Sequence, residues 1–260
     1  MALYEDAATV DLDWWNLKLW EHGVPVTLLG RGPDGEIIDT GIAEISRLDI
    51  FTHARFNGDV DDSPFVWAQG PATMERARNA ERSNDAGHLL TLLYLCAAWS
   101  SGHPHRRNRR VFHRYSEHSG EGLCAEVPSA LAASASFIED RDLAFAVLQH
   151  PDTWLGRLED GQNVPGLGPV VSTHFLAALS VARRAPRVVP VEPAAINMLI
   201  RCGWHEFDAS ESLTTRNFSV FQETIHDWAK EARTAPELVE MWLVKSWHEL
   251  GSLDRRGVRS

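Results

Sequence analysis

Apolar residues recur at helical spacing over most of the chain, and strand-like stretches are confined to its beginning. From Val10 to Glu21, the residues Leu12, Trp15, Leu17 and Leu19 fall at mixed helical spacing and predict a helix. Val24 to Leu29 and Glu36 to Thr40 read as strands. They flank the turn-rich stretch Gly30 to Gly35, which could close a small hairpin. Gly41 to Leu48 reads as a short helix. Asn84 and Asp85 are placed to cap a helix running through Leu89, Leu90, Leu92, Leu93, Leu95 and Cys96 to Trp99. This run is apolar nearly all round, which predicts a central, buried helix. Ser101-Gly102-His103-Pro104 ends it, and an arginine-rich segment opens the next. Further helices are expected over residues 129–138, 140–149, 170–184, 193–202, 215–233 and 236–247, with Pro236 suited to a first helical turn. Residues 52–83 read as loop-rich. The pattern predicts an all-α fold with a minor β element, divided into an N-terminal segment 1–83 and a helical domain 84–260.

Composition narrows the class. At 260 residues with 44% hydrophobic side chains, the chain can bury a sizeable core, and no apolar run reaches membrane-spanning length. The acidic start, Met1 to Asp6, is not a secretory signal. Cys96, Cys124 and Cys202 form neither a zinc pattern nor a disulfide framework, so they read as buried thiols in a reducing cytoplasm. No metal or cofactor is expected, and the chain is expected to be a monomer.

A net charge of −11 argues against a simple nucleic-acid binder, but its distribution changes the picture. Residues 1–65 carry a net −9, leaving −2 for the remaining 195. Residues 103–114 hold five arginines and no acid, Arg106 and Arg109 among them. Arg183, Arg184 and Arg187 form a second knot, and Arg255, Arg256 and Arg259 a third. Local patches, not total charge, decide contact with phosphates. Taken singly, each is also what a solvated surface looks like.

The richest chemistry lies over residues 163–204. Val164-Pro165-Gly166-Leu167-Gly168 fits a tight turn between helices. Gly166 and Gly168 let the backbone approach a ligand, and the following helix offers unpaired N–H groups to a phosphate. Such turns are also common as plain connectors. About two dozen residues on, after the apolar segment Val188-Val189-Pro190-Val191, Glu192 precedes Pro193 at the start of a helix. A carboxylate there is expected to be held ionised by the helix dipole and free backbone N–H groups.

Hairpin, extended segment and acid in this order resemble the helix-hairpin-helix DNA glycosylase superfamily. Phe218, Phe221, Ile225, Trp228 and Ala229, then Glu240, Trp242, Leu243 and Trp247, are similar to the two closing helices of bacterial proteins of the 8-oxoguanine DNA glycosylase (OGG) fold. Leu95 to Gly102, followed by Arg109, resembles that group's central segment. The resemblance spans roughly residues 84–250 and implies a two-lobed, helix-hairpin-helix glycosylase-like fold acting on double-stranded DNA with a modified base.

It further implies that Glu192 is the catalytic carboxylate, stabilising an oxocarbenium-like sugar or orienting water. The base would be turned out of the duplex into a pocket. Gly166, Leu167, Gly168, Arg106, Arg109, Arg183 and Arg187 are the expected DNA contacts. Trp67, Gln69, Trp99, His174 and Trp242 are the pocket candidates, although tryptophans are ordinarily core residues. Relatives usually carry Asp where this chain has Glu192, and a catalytic Lys on the helix after the hairpin. No Lys occurs between Lys18 and Lys230. Schiff-base strand cleavage is therefore not expected. The substrate is an oxidised or alkylated base, or a modified base of phage DNA attacked in defence. A non-catalytic DNA-binding module of the same fold and a nucleoside N-glycoside hydrolase are the alternatives.

Overall fold

A computed structural model describes residues 6–24, 26–54, 86–104, 106, 126–149, 158–159, 162–163, 169–204 and 213–257. Within them the chain is mostly helical, with a small antiparallel sheet near the N-terminus. The strands are β1 (Ala7–Asp11), β2 (Gly30–Arg31), β3 (Ile37–Ile38) and β4 (Ile42–Ser46), ordered β1-β4-β2-β3. The first two helices are α1 (Leu12–Glu21) and α2 (Arg47–Ala54). They are followed by α3 (Ala86–Gly102), α4 (Glu126–Ser136) and α5 (Arg141–Gln149). A two-strand ribbon, β5 (Leu158–Glu159) with β6 (Gln162–Asn163), comes next. The remaining helices are α6 (Pro169–Ala182), α7 (Pro193–Arg201), α8 (Thr215–Ala232) and α9 (Pro236–Gly257).

The sheet is larger than a hairpin, and three expectations change with it. Residues 42–46 form a strand, not a helix. In β4, Ala43 and Ile45 are buried while Ile42 and Glu44 are exposed, and on β1 Ala8 and Val10 are buried opposite them. That two-residue period fits a sheet with one buried face and no helix. Residue 24 and residues 26–29 are not in a strand. Both backbone groups of Leu28 are bonded by the amide of Asn16, at 2.8 and 3.0 Å, so no neighbouring strand is needed. The hairpin forms further along, with Gly30 opposite Ile38 and Arg31 opposite Ile37.

The helices start where local chemistry marks a start. Asp11 caps α1 by accepting from Trp14 N at 3.0 Å, and Thr214 caps α8 by accepting from Asn217 N at 3.2 Å. Pro169, Pro193 and Pro236 each open a helix. α3 is buried from Leu89 to Trp99 apart from Thr91 and is the central element. Its faces meet β1, α2, α4 and α6. Phe145 of α5 stacks on Phe218 of α8 with centroids 4.2 Å apart. No helix among the described residues is long and apolar enough to cross a membrane. Cys96 is buried, but Cys202 is exposed, because it follows α7 at the surface; Cys124 lies outside the described residues.

Residues 188–191 run extended through the core before α7. Their backbone groups, which no strand pairs, are met by side chains. Val188 N donates to Ser180 Oγ, Val191 N donates to Thr173 Oγ1, and Gln222 binds both N–H and C=O of Val189 at 2.8 and 2.7 Å. This arrangement delivers Glu192 to the interior.

Candidate active site

Glu192 is the N-cap of α7, yet its side chain makes no capping hydrogen bond. The expectation that helix N–H groups hold it is therefore replaced. The carboxylate is 1% exposed and turns inward, where Oε1 accepts from Arg106 Nη1 and His174 Nε2, each at 2.9 Å. Burial acts to raise its pKa, but the Arg106 charge and the His174 hydrogen bond outweigh it and hold the group at about 2.

Arg106 binds a second acid. Its Nη1 and Nη2 donate to the two carboxylate oxygens of Glu240, on α9, at 2.7 and 2.9 Å. Burial alone would lower the guanidinium, and the two carboxylates reverse that, so it stays charged. Arg47, at the start of α2, lies 4.0 Å from Glu240 and 3.8 Å from Asp6. Asp6 in turn pairs with His103 Nε2. Burial acts to raise Asp6, but His103, Arg47 and Arg106 hold it below the usual carboxylate range.

Trp99 is the platform under this cluster. Its ring centroid lies 4.9 Å from the Arg47 guanidinium carbon and 5.0 Å from that of Arg106. His103 tilts against it at 4.8 Å and His174 meets it edge-on at 5.2 Å. The indole N–H donates to the Asp6 carbonyl at 2.9 Å, which ties β1 to α3. Charges this deeply buried persist only when paired, and here each carboxylate faces an arginine or a histidine.

Beside the cluster is a cavity of about 20 Å³ lined by Arg47, Trp99, His174, Cys96, Pro190 and Glu237, among others. That is room for one water, and among the described residues it does not enclose a space for a nucleobase. No group of three or more His, Cys, Asp or Glu side chains among the described residues is arranged to hold a metal ion.

The structure brings Trp99, His174 and Arg106 to Glu192 and keeps other candidates apart. Arg106 is buried, and its terminal nitrogens are given to carboxylates, which takes it out of the surface patch in which the sequence placed it. Trp242 is 54% exposed on α9 and points away from the buried Glu240. Arg183 and Arg187 sit on the turn between α6 and the extended segment. Arg183 donates to the Ala135 carbonyl at 2.7 Å and Arg187 faces Glu237 at 3.4 Å. Trp67, Gln69, Arg109, Gly166, Leu167 and Gly168 lie outside the described residues, as does the arginine-rich segment apart from Arg106. Sequence reasoning missed Asp6, Arg47 and His103 as members of the cluster. Glu240 carried a signal, since it stands in the closing-helix pattern.

Compared with known proteins, a family model described as Putative 8-oxoguanine DNA glycosylase OGG-like protein matches residues 2–244. No curated protein and no solved structure matches the chain.

Proposed function

Because the chain belongs to the 8-oxoguanine DNA glycosylase OGG-like family, we propose that it is a monofunctional DNA glycosylase. It hydrolyses the N-glycosidic bond of a modified base in duplex DNA, with Glu192 as the carboxylate of the reaction centre. The observation that carries this reading is the ionised Glu192 at the mouth of α7, buried and held by Arg106 and His174. A fixed negative charge in a dry site stabilises an oxocarbenium-like sugar far better than one in water. Arg183 and Arg187, on the turn leading to it, are the proposed phosphate contacts, together with Arg109, Gly166, Leu167 and Gly168. The base comes to rest against Trp99 and His174 when the duplex opens the site, with Trp67 and Gln69 as further walls.

Strand cleavage through a Schiff base requires an amine at the sugar. The chain has three lysines, none on the helix after residues 164–168 and none buried with Glu192: Lys18 pairs with Glu21 on α1, Lys230 is exposed on α8, and Lys245 is exposed on α9. The product is accordingly an intact strand with an abasic site. The substrate is a lesion base or a modified phage base.

A second reading, a non-catalytic DNA-binding module, draws on the near-complete burial of Glu192, which also suits a purely structural ion cluster. One experiment separates the two. Duplexes carrying 8-oxoguanine, alkylated bases or phage-type modified bases are incubated with protein, and abasic sites are read by alkaline cleavage. The glycosylase reading expects base release by the native protein and a loss of about 10²-fold or more in Glu192→Gln. It also expects no borohydride-trapped adduct. Release unchanged in Glu192→Gln, or a trapped adduct, contradicts it.

A further inference from the structure

We propose that in activating the water Glu192 acts through His174: for that step Glu192 is a positioning residue, and His174 Nδ1 is the base that takes the proton of the attacking water. The inference rests on the glycosylase reading above and specifies how its water is activated.

The first observation is which of the two groups meets the cavity. His174 lines it, together with Arg47 and Trp99, and Glu192 is not among its walls. A molecule in that space therefore meets the imidazole before the carboxylate.

The second is the direction of the hydrogen bond between them. An ionised carboxylate only accepts, so the proton on the 2.9 Å contact sits on His174 Nε2. Burial is the largest influence on His174 and drives it toward the neutral form. The Glu192 hydrogen bond opposes this, the charges of Arg106 and Arg47 add to it, and the group rests at about 4. These groups reach the ring from four elements: Glu192 from the cap of α7, Arg106 from the segment after α3, Arg47 from α2 and Trp99 from α3 itself. Glu237 of α9 lines the same cavity. A neutral imidazole protonated on Nε2 carries its lone pair on Nδ1.

The third is another residue lining the cavity. Arg47 Nε and Nη2 are buried and have no hydrogen bond among the described residues. A water in this cavity accepts from Arg47 and donates to Nδ1, so both lone pair and proton are oriented. A carboxylate that fixes the tautomer of a histidine and stabilises its cation is the logic by which buried acids assist histidine bases generally.

The step balances. The sugar–nitrogen bond breaks and its electron pair leaves with the base. The water oxygen forms the new bond to the sugar carbon, and its proton passes to His174 Nδ1. The imidazolium, stabilised by Glu192, then returns that proton to the departed base.

The test uses the full-length protein and a duplex from which it releases base. In His174→Gln, kcat is expected to fall by about 10²–10⁴-fold, with KM for DNA within about threefold of the native value. Added imidazole is expected to restore His174→Ala in part, but not Glu192→Gln. The native rate is expected to drop through an acid limb governed by His174, and that limb is expected to be absent in His174→Gln. A full kcat in His174→Gln beside an inactive Glu192→Gln overturns the inference and leaves the glycosylase reading standing. No base release from any duplex by the native protein removes both. Independently of activity, ¹⁵N NMR of the native protein at pH 7 is expected to show His174 protonated on Nε2, and a proton on Nδ1 overturns the proposal.

Discussion

Arg106 gives both terminal nitrogens to Glu240, at 2.7 and 2.9 Å, and a single hydrogen bond to Glu192. The two acids therefore stand in different relations to the same cation. Glu240 anchors it with a planar fork and also lies near Arg47. Glu192 shares Oε1 between Arg106 and His174.

This asymmetry predicts an ordering of stability. Glu240→Ala leaves Arg106 and Arg47 buried without their common acid, and the expected loss is ~3–5 kcal/mol. Glu192→Gln keeps the shape and an acceptor for Arg106, and the expected loss is smaller, ~1–3 kcal/mol. Urea denaturation of both variants checks the ordering. A Glu192→Gln loss equal to that of Glu240→Ala would make Glu192 as structural as Glu240.

The cluster also predicts a fold that weakens in acid. The folded pKa of Glu192 is depressed from 4.5 to about 2, so its stabilisation is complete above pH 4.5 and is lost as pH falls through about 2. His174 is depressed from 6.5 to about 4. The folded state therefore resists a proton that the unfolded chain takes up, and stability falls with pH from 6.5 toward 4. Burial depresses His53 likewise, to about 3, with the same sign. The melting temperature is expected to decline steadily from pH 7 to pH 3, and less steeply between pH 6.5 and 4 in His174→Gln. A native melting temperature that stays level across that window contradicts a buried, neutral His174.

What the sequence made legible was local. Pro193 marked the start of α7, which put Glu192 at its cap, and the apolar run from Leu89 to Trp99 marked the central helix. Both signals act within a turn or two of the chain. Arg106 shows where such reading stops. In a run of five arginines without an acid, nothing local distinguishes the one that folds inward. That is decided by Glu192 and Glu240, 86 and 134 residues further on. Asp6 and Arg47 were hidden for the same reason. Asp6 is one acid in an acidic stretch, and Arg47 follows a five-residue strand whose pattern was read as helix. A stretch that short supports either period until a partner strand is known.

The joint between β1 and α3 gives a prediction in which helix propensity and packing have opposite signs. Gly102 is the last residue of α3, and replacing a helical Gly with Ala ordinarily stabilises by up to ~1 kcal/mol. Here a Cβ on Gly102 would lie 2.4 Å from the Thr9 carbonyl oxygen and 3.2 Å from its carbon, both backbone atoms of β1. Neither can swing aside as a side-chain tip would. β1 must move, and it leads from Asp6, whose carboxylate pairs with His103 and whose carbonyl accepts from Trp99. Gly102→Ala is therefore expected to destabilise by ~1–3 kcal/mol. It is also expected to alter the near-ultraviolet circular dichroism of the tryptophans, because Trp99 loses its fixed partner. Thermal melts with near-ultraviolet spectra check both, and a Gly102→Ala protein as stable as the native one would mean that the strand and helix do not approach this closely.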